Sequence, residues 1–110
     1  MKEIKAIVRP SHLHKIRDAF RQLPGFPGMN ISSVEGCSAH LGVEKRDTLK
    51  EELTDFTKKI RIEIVAPDEM LTDILSIIHT QAHTGQMGDG VLWVTEVQEF
   101  RRLCAQANSD

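Results

Sequence analysis

At 110 residues the chain is long enough for one domain and too short for a second core of ordinary size. Its 14 basic and 16 acidic residues leave a net charge of −2, without the basic surplus that a nucleic-acid binder needs to neutralise phosphates. The longest apolar run, Val91-Leu92-Trp93-Val94, falls far short of the ~20 residues that cross a bilayer, and the first residues lack the apolar stretch of a signal peptide, so the expected compartment is the cytoplasm.

Taken in chain order, Ile4, Ala6 and Val8 alternate with Lys5 and Ile7, which predicts a strand. Pro10 ends it, and Ser11 is placed to cap a helix whose apolar face is Leu13, Ile16, Ala19, Phe20 and Leu23. The run Pro24-Gly25-Phe26-Pro27-Gly28 stops that helix, and a second strand is expected from Met29 to Val34. Between Cys37 and Lys59 the apolar spacing is irregular and the charge density high. A long segment of this kind inside a small domain is read as functional, a solvated helix with i,i+4 charge pairs being the other reading. Ile60, Ile62 and Ile64 mark a third strand, followed by Pro67 as a breaker and Asp68 as an N-cap. Met70, Leu71, Ile74, Leu75, Ile78 and Ala82 form a second helical face. Residues 84–90, three of them glycine, are expected to be irregular, and Val91 to Val94 to form a fourth strand. Val97, Phe100, Cys104 and Ala107 recur at helical spacing and predict a short C-terminal helix within 96–110.

The order β-α-β-loop-β-α-β predicts one α+β domain over 1–110, ferredoxin-like, with an antiparallel sheet and two helices on one face. Ile7, Val65 and Trp93 fall on the opposite face, which suggests a subunit interface.

The strongest local chemical signal is Thr84-Gly85-Gln86-Met87-Gly88-Asp89-Gly90. Glycines allow close backbone approach, so successive N–H groups can surround an anion. A capping glycine followed by an Asp-Gly turn explains the same residues, and both readings stand at this point. The segment lacks the Gly-Lys-Ser/Thr of a Walker A loop. His79 and His83 lie i,i+4 and are weak metal candidates, giving a histidine-based metal-binding trimer as the alternative function. His12 and His14 are read as a solvated face, and Cys37 with His40 lacks further ligands. Cys37 and Cys104 are too few for a disulfide framework, and Cys104 is assigned to the core or an interface. No pair of carboxylates stands out as acid and base, so no enzyme is expected.

Together, Ile4-Lys5-Ala6-Ile7-Val8-Arg9-Pro10, Gly28-Met29, Ile62-Glu63-Ile64-Val65-Ala66-Pro67-Asp68 and Thr84-Gly-x-x-Gly-Asp-Gly90 resemble the PII signal-transduction family from residue 1 to about residue 103. The resemblance implies a homotrimer with an adenosine nucleotide (ADP, AMP or ATP) in each cleft between subunits. It makes residues 84–90 the family's B-loop and 37–59 its T-loop, which would dock on a target protein such as a membrane transporter or an enzyme. The implied nucleotide-binding positions are Ile7, Gly28, Met29, Asn30, Gly36, Cys37, Glu63 and Val65, with Gly85, Gln86, Met87, Gly88, Asp89 and Gly90 at the phosphates and Arg102 from the tail. His40 and Lys59 stand at the T-loop base, where members that sense 2-oxoglutarate carry Gln and Lys. Three of the family's four phosphate-binding cations are absent, their positions being Ala39, Val91 and Cys104. Nucleotides with fewer phosphates are therefore expected to compete well with ATP. The tyrosine that the family modifies is also missing, since the chain contains none.

Overall fold

The computed structural model describes residues 1–37 and 56–104. Strand β1 (Lys2–Val8) leads through a 3-10 turn at Pro10–His12 into helix α1 (Leu13–Arg21), followed by β2 (Asn30–Gly36) and β3 (Thr57–Ala66). A second 3-10 turn, Asp68–Met70, opens helix α2 (Leu71–Ala82), and a third, Met87–Asp89, precedes β4 (Gly90–Glu96). The strands form one sheet in the order β2-β3-β1-β4, with every pairing antiparallel. This is the expected ferredoxin-like α+β arrangement.

The alternation in β1 and β3 divides the sheet into two faces. Ile4, Ala6 and Val8 meet Ile62, Ile64 and Ala66 on one face, where Ile16 and Phe20 of α1 and Ile74, Ile78 and Ala82 of α2 bury them. This core is almost wholly aliphatic, completed by Phe20 stacked on Phe26 at 4.2 Å. Ile62 is fully buried, so Ile62→Val is expected to cost about 1 kcal/mol. An unchanged urea midpoint in that variant would mean the site relaxes fully.

The opposite face carries Ile7, Arg61, Glu63 and Val65, and Trp93 stays 42% exposed. Nothing in the chain described covers it.

Four expectations about local structure are corrected. Ser11 does not cap α1: it lies inside the 3-10 turn, and His12 holds the cap position without a side-chain hydrogen bond. Asp68 likewise sits inside a turn, where its carboxylate meets the Met1 amine at 2.9 Å instead of capping α2. The T-loop boundary at Lys59 moves back, because β3 starts at Thr57 and includes Lys58 and Lys59. Residues 97–104 form no helix. Their apolar stripe is shorter than a helix that holds without tertiary packing, and Leu103 and Cys104 are exposed in the chain. Ala39, His40 and the rest of 38–55, with Ala107 and its neighbours in 105–110, lie outside the described residues.

Candidate functional site

The antiparallel β1–β4 register sets Val8 opposite Gly90, which brings the end of β1 against the loop that follows α2. At Gly90 the backbone has φ +118°, and a Cβ there would stand 1.9 Å from the Ile7 carbonyl oxygen. Only glycine fits this approach.

Asp89 organises the loop. Its carboxylate accepts hydrogen bonds from the N–H of Thr84 at 2.6 Å and of Gly85 at 2.9 Å, and from the Thr84 hydroxyl. The Asp89 N–H in turn donates to the Gln86 carbonyl at 3.1 Å. The concavity expected to receive an anion thus already holds one at its α2 end. The Thr84 hydroxyl, and then the N–H groups of Thr84, Gly85 and Gln86, hold the Asp89 carboxyl far below the usual carboxylate range. A depressed folded value means that the bonds contribute fully above the unfolded value of ~3.9 and are lost only as pH falls through the lower one. The Thr84 and Gly85 amide shifts are therefore expected to show no carboxylate titration step at the unfolded value. A titration of either amide with a midpoint near 4 would contradict this geometry.

Two cations converge on the other side of the loop. Arg9 Nε donates to the Gly88 carbonyl at 2.9 Å, Lys59 Nζ donates to the same oxygen at 3.0 Å, and Arg9 Nη2 reaches Gln86 Oε1 at 3.3 Å. They line a cavity of about 390 Å³ together with Ile7, Gly36, Cys37, Met87, Gly88 and Gly90. Among the described residues no carboxylate lines it, Asp89 Oδ1 standing 4.0 Å from Arg9 Nε, so the charge of the described lining suits an anionic group.

A second cavity, of about 370 Å³, opens at the far end of the same uncovered sheet face. It is lined by Gly28, Met29, Asn30, Glu63, Val65 and Arg102, with Glu3, Pro27 and Phe100. The Glu63 carboxylate there lies 3.8 Å from Lys5 and 3.7 Å from Arg61. Both volumes fall in the range of small-molecule sites.

The residues expected at a nucleotide site are thus gathered into two groups. Ile7, Gly36, Cys37, Met87, Gly88 and Gly90 line the first cavity; Gly28, Met29, Asn30, Glu63, Val65 and Arg102 line the second. Gly85, Gln86 and Asp89 build the loop without lining either. Lys59, placed by sequence at the T-loop base, stands on the loop's Gly88 carbonyl. Arg101, next to Arg102 on the tail, pairs with Glu99 at 2.6 Å.

Sequence reasoning gave no site role to Arg9 or Phe100, and named Thr84 only as the start of the glycine-rich loop. Arg9 carries a readable signal, a cation directly before the Pro10 that ends β1. Thr84 acts locally, on Asp89 five positions on, whereas the place of Phe100 beside Met29 and Val65 is set by tertiary structure.

The metal alternative gains no support. His79 and His83 stack in near-parallel planes 13° apart, with ring centroids 5.1 Å from each other, and His83 Nδ1 lies 3.8 Å from Asp89 Oδ2. Among the described residues no group of three or more His, Cys, Asp or Glu side chains is placed to hold a metal ion.

A family model described as nitrogen regulatory protein P-II matches residues 1–106. The chain is 34% identical over 103 residues to nitrogen regulatory protein P-II 1 of Escherichia coli K12, covering 94% of this chain and 91% of that protein. It is 32% identical, with the same coverage, to the nitrogen regulatory proteins P-II of Azospirillum brasilense and Haemophilus influenzae.

Proposed function

The chain belongs to the nitrogen regulatory protein P-II family, and from that premise we propose that it is a signalling protein which binds an adenosine nucleotide between subunits and reports it to a target protein. The observation that carries this reading is the division of the site between two cavities at opposite ends of one uncovered sheet face. A cleft between two copies brings the first cavity of one against the second cavity of its neighbour. Repeated around a closed ring, the contact gives the homotrimer, and it buries Ile7, Val65 and Trp93.

In such a cleft the cationic cavity meets the phosphates, and the cavity with Met29 and Val65 meets the base and ribose. Arg9 and Lys59 offset part of the cation deficit at Ala39, Val91 and Cys104. Gly36 and Thr57 are paired across β2 and β3, and both line the first cavity, so a ligand there sits at the two roots of the T-loop. That loop then docks on the regulated protein, a membrane transporter or an enzyme. Signalling requires the nucleotide to bind one loop state better than another, since tight binding alone shifts no population. Among the described residues no helix is long and apolar enough to cross a membrane, and we place the protein in the cytoplasm on the family reading. The role is regulatory, not catalytic.

Isothermal titration with ATP, ADP, AMP and cyclic AMP, each with and without magnesium, tests this function. Micromolar binding of at least one is expected, with AMP and ADP competing well against ATP. Failure of all four would overturn the nucleotide reading, and an ATP affinity far above that of AMP would overturn the phosphate preference alone.

A further inference from the structure

The tail after β4 presents an aromatic ring to the second cavity. The chain has one Trp, four Phe and no Tyr. Phe20 and Phe26 stack on each other, Phe56 stands 59% exposed just before β3, and Trp93 lies on the open sheet face. Phe100 instead stands 37% exposed on the wall of the cavity that holds Met29, Asn30, Glu63 and Val65. The Arg102 guanidinium carbon lies 5.5 Å from its ring centroid, a cation–π contact that restrains both side chains.

We infer that Phe100 is a purine-stacking residue, the aromatic wall on which the base of the bound nucleotide rests. The inference deepens the nucleotide reading and rests on it. The cavity has the composition that a flat heteroaromatic ring requires: apolar surface from Met29 and Val65, a π face from Phe100, and polar groups from Asn30 and Glu63 for the ring's edge. The ring sits on a tail without helix or strand, at the wall of the cavity.

Adenosine and ATP titrations of wild type, Phe100→Ala, Phe100→Leu and Phe100→Tyr test the inference. Loss of a base-stacking ring is expected to weaken adenosine and ATP by the same factor, about tenfold, in Phe100→Ala. Phe100→Leu keeps apolar bulk and removes the π face, so it is expected to lose nearly as much. Phe100→Tyr is expected to stay within about threefold of wild type. In wild type, adenosine is expected to shift the Phe100 ring protons upfield through the purine ring current. Full rescue by Phe100→Leu would overturn stacking and leave a packing role. Undiminished adenosine binding in Phe100→Ala would overturn any role for the residue at the base. A wild-type protein that binds neither ATP nor adenosine would overturn the nucleotide reading itself, an outcome distinct from either of these.

Discussion

Gly90→Ala is expected to be among the most damaging single-methyl changes this chain can carry. The new Cβ would meet the Ile7 carbonyl oxygen at 1.9 Å and the Ile7 carbonyl carbon at 3.0 Å, backbone atoms that move only if the β1–β4 pairing moves. The positive φ adds ~1–2 kcal/mol of strain of its own. Together they are expected to cost about 3 kcal/mol or more. At a slope of ~2 kcal/mol/M the urea midpoint falls by about 1.5 M. Protomer concentration must be held fixed, because assembly contributes to apparent stability. Gly85→Ala is the matched control: its φ is +87°, and a Cβ there meets nothing within 4 Å. It should show the backbone strain without the collision. Equal losses in the two variants would mean that β1 and β4 separate easily at this end, contrary to the close approach described.

The double variant Arg9→Ala/Lys59→Ala is expected to separate phosphate recognition from base recognition. Both side chains donate to the Gly88 carbonyl, and both can turn from a neutral oxygen to a phosphate oxygen without leaving the cavity. Charge-assisted hydrogen bonds are worth ~1.5–3 kcal/mol each. Each single variant should therefore weaken ATP by about tenfold or more, and the double variant by more than about a hundredfold. Adenosine, which offers no phosphate, should bind the double variant as it binds wild type. An equal loss for adenosine would assign the two cations to loop structure. No loss for ATP would place the phosphates elsewhere.

Strand alternation made the architecture readable. Ile4, Ala6 and Val8 against Ile62, Ile64 and Ala66 define one buried face, and a register slip by one residue would expose all six. The apolar spacing of both helices was equally clear. Their starts were not, because Ser11 and Asp68 lie inside 3-10 turns that look like caps in sequence. The spacing of Val97, Phe100 and Cys104 was misleading for a related reason: helical spacing over so short a stretch has little force without a surface to pack on. In the candidate site, the glycines of residues 84–90 were open to two readings, an anion-binding concavity or a capping glycine with an Asp-Gly turn. That Asp89 supplies one of the charges is decided by the 3-10 turn at Met87–Asp89, which folds its carboxylate back onto Thr84 and Gly85. Arg9 enters the site only through the pairing of Val8 with Gly90, a contact between residues 82 positions apart.

The insertion between β2 and β3 has an evolutionary consequence. Its two ends are cross-strand partners, Gly36 opposite Thr57, so the sheet closes on itself before the segment begins. Changing the length of such an insertion alters the closure entropy only logarithmically, by ~0.6 kcal/mol for each doubling. Sequence drift in 38–55 therefore leaves the register of Ile31 with Ile62 and of Ser33 with Ile60 untouched. The segment behaves as an exchangeable cassette. On the proposed function, a new client could be taken on by rewriting residues 38–55 alone, with the Gly36–Thr57 pair left in place.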